Sequence, residues 1–402
     1  MSRAEIVELA DPVVRETFGR FVREFNRREN AVRSGRVASF AEYYEGGHYC
    51  HSDDHGTGWI VAGNPVPYFH PNRSFHDEII WLNENLYYDE SASFDDRLIN
   101  SAIVKFYGPA STLDAATSGT GWDYVNVSEY RSNAEYRLAV LGNIEAAAAS
   151  GAKLWGTTEL RSSLQTAAGS YAREVPTEID LRGDRQKLDE GGRRKMRPSD
   201  MVHWIMSLAP KWIEFFKTKP DMESAFGHLT EVRGIGNYYG YHFASNLARM
   251  PGVGSPSIIE ADGKTRVGFD RLKSVDPTLE HGRLDENADY VVAGPGAIAT
   301  LKRLFPSVTV NGASSLPLIL AIRDNQEEFF GIAGDTSAEA DLRESSELGR
   351  FTTFGIEIAC CQYNVFERAA ASPAVALQRS QAPISKEVGS NVAKSPVADV
   401  FE

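Results

Sequence analysis

A chain of 402 residues, 42% of them hydrophobic, can bury a substantial core as one large domain or two modest ones. It carries no apolar run of membrane-spanning length and no signal-peptide pattern, so no membrane partner and a cytoplasmic location are expected. Three cysteines, Cys50 and the adjacent pair Cys360 and Cys361, argue against a disulfide framework, and a net charge of -13 argues against a uniformly basic surface.

Apolar periodicity predicts helices over 12–34, 75–90, 94–108, 126–149, 200–217, 221–233, 237–249, 294–305 and 351–369. Strand signals are confined to GTGWIVAG at 56–63 and VTV at 308–310. The expectation is an all-α fold with few short strands. It divides into an N-terminal helical extension and polar loop over 1–60, a catalytic domain over 61–370 and a low-complexity tail over 371–402. The stretch 251–286, rich in Gly, Pro, Ser and Asp, is expected to be an insertion between helical elements.

In chain order, the first chemically suggestive cluster is GGHYCHSDDHG, where His48, Cys50, His51, Asp53, Asp54 and His55 offer ligand types for zinc or iron. Its spacing matches no standard site, and a polar loop is the competing reading, so no metal and no cofactor are assigned. Trp81, Tyr87, Tyr88, Phe106 and Tyr107 then supply aromatic rings for a base pocket or a wedge, although helical spacing also suits core packing, above all for Trp81 and Phe106. Between Arg182 and Arg197 lie seven basic and three acidic residues, Arg193, Arg194 and Lys195 among them. Such a glycine-containing basic loop is suited to a phosphate backbone, with a solvated loop as the alternative.

The most specific stretch is LTEVRGIGNYYG, from Leu229 to Gly240. A helical run, a Gly-x-Gly turn and a second helical run describe a helix-hairpin-helix. Gly234 and Gly236 permit a tight turn with positive φ, Ile235 packs the two helices together, and Gly240 allows their close approach. Amides at the start of the second helix sit at the positive end of its dipole, where phosphate is the natural ligand. Arg233, Gly234, Ile235, Gly236, Asn237, Tyr238 and Tyr239 are therefore the candidate DNA-binding residues, and double-stranded DNA is the expected partner. A purely structural glycine turn is the alternative.

Downstream, Asp289 precedes the Gly-Pro-Gly turn of ENADYVVAGPGAIATLKRLFP. Hairpin, aspartate and helix in this order resemble the helix-hairpin-helix DNA glycosylases, whose corresponding aspartate is catalytic. A fixed carboxylate there stabilises the oxocarbenium charge that develops as an N-glycosidic bond breaks. About thirty extra residues separate hairpin from aspartate relative to the common family spacing, which leaves Asp262, Asp270 and Asp285 as rivals. Tyr238 stands where bifunctional relatives carry a nucleophilic lysine, so the resemblance implies a monofunctional enzyme.

The C-terminal run IEIACCQYNVFER, Ile356 to Arg368, is similar to the Glu-x-x-x-Cys signature of the α-glutamyl/putrescinyl-thymine pyrophosphorylase family and of the helical domain of 5-hydroxymethyl-deoxyuridine DNA kinases. Glu357 and Cys361 fit it. AGPG at Ala293–Gly296 and INSAIVKFYGPASTL at Ile99–Leu113 also look like elements of that branch of the glycosylase superfamily. The resemblance implies action on phage DNA with hypermodified pyrimidines, through base flipping. Antiphage members excise bases such as glucosylated 5-hydroxymethylcytosine and leave abasic sites. Others are transferases that modify the thymine 5-methyl position. Gln362, Asn364 and Val365 replace the Glu, Asp and Lys of the pyrophosphorylase signature, which favours excision. Gly263-Lys264-Thr265 has Ile258 where a phosphate-binding loop requires the earlier glycine, which argues against the kinase. Asp289 and Glu357 are the expected catalytic residues, with Trp81, Tyr87, Tyr88 and Cys361 around the base. A non-catalytic DNA-binding protein remains the third possibility.

Overall fold

The computed structural model describes residues 2–36, 77–106, 111–152, 198–260, 263–345 and 350–371. These are mainly helical, and the chain is an all-α protein. Among the described residues the extended pairing is an isolated parallel bridge between Gly254 and Leu284. VTV at 308–310 is irregular chain between two helices and not a strand. No helix among the described residues is long and apolar enough to cross a membrane. The expected strand at 56–63, the His48–His55 cluster, Tyr107, Asp262, the basic residues Arg193, Arg194 and Lys195, and positions 372–402 of the tail lie outside the described residues.

The chain forms two compact units, Met1–Ile80 with Asp285–Lys386, and Trp81–Leu284. This differs from the expected 1–60 and 61–370 division, because the N-terminal helices are built into one core with the C-terminal third. In order, the helices are α1 (Arg3–Glu8), α2 (Pro12–Arg33), α3 (Asp77–Leu82), α4 (Phe94–Phe106), α5 (Ser111–Thr117), α6 (Val127–Ser132), α7 (Ala134–Ala149), α8 (Pro198–Lys217) and α9 (Met222–Thr230). There follow α10 (Asn237–Leu247), α11 (Pro256–Ile259), α12 (Gly263–Val275), α13 (Pro295–Leu304), α14 (Gly312–Asp324), α15 (Gln326–Phe329), α16 (Thr336–Ser345) and α17 (Thr353–Ala371).

In the first unit α13 packs along α17, α2 against α16, and α1 against α14. Phe18, Phe21 and Phe25 repeat along one face of α2 and meet Tyr363 and Phe366 of α17, with ring centroids 5.0–6.0 Å apart. In the second unit α8 packs on α4 and α7, and α10 on α4 and α9. Phe106, Trp212 and Phe243 form its aromatic centre, which places Phe106 in the core as the sequence suggested.

The predicted helix over 126–149 is two helices. Asn133 adopts an extended conformation and its side chain caps the amides of Glu135 and Tyr136, which starts α7 afresh. The predicted helix at 75–90 becomes α3 followed by a π turn over Asn83–Tyr87. The supposed insertion at 251–286 holds α12, whose Thr265, Phe269 and Leu272 are buried at spacings of four and three. α14 escapes periodicity because Leu318, Ile319, Leu320, Ala321 and Ile322 are all buried in succession, leaving no polar face to mark a period.

Candidate functional site

The hairpin forms within the second unit as the sequence pattern requires. Asp221 caps α9 by accepting the Ser224 amide at 2.9 Å, and the His228 ring lies flat on Phe215 with centroids 3.8 Å apart, which ties α9 to α8. The turn closes through the Ile235 amide donating to the Val232 carbonyl, and Ile235 is buried beneath it. Gly234 has φ +98°, a conformation that side chains strongly disfavour. A Cβ at Gly240 would lie 2.8 Å from Thr230 Cγ2, so glycine there is what lets α10 cross α9.

Gly236 differs from both. Its φ of -79° suits any residue, and a Cβ built on it meets nothing within 4 Å. Neither backbone conformation nor packing among the described residues demands glycine at this position, whereas the close approach of an outside group would. Gly236 is also the N-cap of α10 and offers no side-chain cap, so the amides of Asn237, Tyr238 and Tyr239 open the positive end of an eleven-residue helix with no acid in its first turn. Arg233, exposed at the tip, makes no ion pair with any described residue. Tyr238 is 39% exposed, with its ring 4.0 Å from His242 and edge-on to Tyr239.

The first unit holds the candidate carboxylates. Asp289 is 59% exposed, and each of its oxygens is held by an arginine: Arg323 Nη2 lies 2.8 Å from Oδ1 and Arg3 Nη2 lies 2.8 Å from Oδ2. Asp324 closes a ring of four charges, pairing with Arg3 and, at 2.8 Å, with Arg323 Nε. Arg323 is the fixed member. Its side chain is 9% exposed, and its Nη1 donates to the Asn287 carbonyl and the Thr353 hydroxyl, both at 2.8 Å. The hydrogen bond from Arg3, followed by that from Arg323, holds the Asp289 carboxyl below its usual range, so it is ionised at neutral pH. The rival Asp285 accepts the Asn287 amide in a local turn, and the rival Asp270 is exposed on α12.

The two C-terminal motifs also meet. Glu357 Oε1 accepts the Gly294 amide at 2.9 Å, and a Cβ at Gly296 would come within 2.8 Å of Cys361 Sγ. A carboxylate at the positive end of α13 holds that turn on α17, while Gly296 gives room for the thiol. Glu357 is only 1% exposed, and through this bond it braces the turn. Burial, and then the nearby Glu357, raise the Cys360 thiol well above its ordinary pKa; Cys361 is half-buried.

Tyr87 and Tyr88 are buried, their hydroxyls donating to the carbonyls of Asn246 and Arg249, and Tyr88 lies directly against Gly268. Trp81 is half-buried in α3. All three belong to the second unit, whereas Cys361 belongs to the first. Among the described residues no group of three or more His, Cys, Asp or Glu is placed to hold a metal ion. The sequence reading missed Arg3, Arg323 and Asp324; Arg3 stands 286 residues from the aspartate it touches, a separation that no local pattern encodes. No protein-family model, no curated protein and no solved structure matches this chain.

Proposed function

We propose that the protein is a monofunctional DNA glycosylase that flips a hypermodified pyrimidine, such as glucosylated 5-hydroxymethylcytosine, from phage DNA and hydrolyses its N-glycosidic bond in antiphage defence. The observation that carries the reading is Gly236, a glycine with open space before it at the start of α10, beside Arg233, which makes no ion pair with any described residue. A phosphate group fits both the space and the charge. Asp289 supplies the second part. With both oxygens held and its acidity increased, it is a poor proton acceptor, and its role is to oppose the positive charge that grows on the sugar as the base departs. Water attacks that sugar, because no lysine stands at Tyr238.

The test is incubation of the purified protein with unmodified, hydroxymethylated and glucosylated phage DNA, followed by alkali and mass spectrometry of the released material. A free modified base and strand breaks that appear only after alkali are the expected result. Intact strands bearing a base of altered mass would establish the transferase instead, and unchanged DNA would leave only a binding role.

A further inference from the structure

We propose that Arg3 is a DNA contact that changes partners: in the free protein its guanidinium binds Asp289 and Asp324, and on DNA binding it passes to a backbone phosphate and uncovers the Asp289 carboxylate. This rests on the reading of Asp289 and DNA given above. The two arginines on Asp289 are unequal. Arg323 is buried in α14, with donors committed to a carbonyl, a hydroxyl and both carboxylates, so it cannot leave without stranding a buried charge. Arg3 is 39% exposed, sits in the first turn of the six-residue α1, and among the described residues bonds through its side chain to Asp289 and Asp324 alone. In the closed ring two guanidiniums and two carboxylates cancel, which leaves Asp289 with little charge to offer a developing cation. A phosphate competes for Arg3 on equal terms, because guanidinium binds carboxylate and phosphate with the same forked geometry. Exchange removes one positive charge from Asp289 at the moment substrate arrives. Arg323 keeps the carboxylate oriented.

A double-mutant cycle on binding tests this without relying on catalysis. The affinity of a fluorescently labelled unmodified duplex is measured for the full chain, Arg3→Gln, Asp289→Asn and the double variant, across a salt series. Loss of the Asp289 charge leaves Arg3 held by Asp324 alone, so Asp289→Asn should tighten binding about three- to fivefold in the parent and by clearly less in the Arg3→Gln background. Arg3→Gln should also lower the slope of log affinity against log salt by about 1. Equal tightening in both backgrounds, or an unchanged slope, would overturn the exchange while leaving the glycosylase reading intact. No duplex binding by any variant that retains the parent's thermal unfolding curve would overturn both.

Discussion

At the scale of single residues, the proposed function assigns Asp289 to chemistry and Arg323 to the fold. Asp289→Asn keeps the shape of the side chain and removes its charge, so base release should fall by at least about a hundredfold while duplex affinity rises, as read by single-turnover excision and fluorescence anisotropy. Arg323→Met acts on the fold. It leaves Arg3 as the only arginine on two carboxylates and withdraws donors from Asn287 and Thr353, and should cost about 3 kcal/mol in urea unfolding. The aspartate was visible in the sequence because it precedes a Gly-Pro-Gly turn. Its arginines were not, since α1 and α14 reach it only through packing.

At the scale of elements, the hairpin offers a paired experiment on two glycines of one turn. Gly240→Ala puts a methyl group against Thr230, whose rotamer is fixed by its hydrogen bond to the Phe226 carbonyl, and should cost about 2 kcal/mol of stability. Gly236→Ala meets no such obstacle and should leave the melting temperature of the protein within about one degree of the parent. Because it fills the space before the α10 amides, it should weaken duplex binding about tenfold. Unchanged binding for Gly236→Ala would reduce the hairpin to a structural turn. The hairpin's two helices were legible because a Gly-x-Gly turn flanked by amphipathic runs is a local pattern. The same logic failed at α14, where five buried apolar residues in succession erase the period, and at Asn133, where one capping side chain divides a continuous pattern in two.

At the scale of the whole molecule, titration should resolve two stages of acid destabilisation. Burial holds the His228 pKa below its ordinary 6.5, so the unfolded chain takes up that proton first. Its contribution is fully present above about pH 6.5 and is lost as pH falls through the depressed folded value. Asp289 and Asp324 also have lowered pKa values: hydrogen bonding by Arg3 leads for Asp289, while for Asp324 the arginine bonds outweigh burial. Their contribution is present above about pH 4 and disappears below it. Melting curves followed from pH 7.5 to pH 3 should show both losses. His228→Gln should remove the first and leave the second, which belongs to the other unit.

The sequence by itself determined the all-α class, the positions of the long amphipathic helices, the hairpin and the glycines that shape it. Each depends on spacing within a few residues, where backbone geometry and side-chain period act directly. Tertiary structure decided the rest. It joined the N-terminal helices to the C-terminal third in one unit, buried Tyr87, Tyr88 and Glu357, and brought Arg3 to Asp289. Burial and ion pairing depend on which surfaces meet, and that is a property of packing between distant segments, which no local period records.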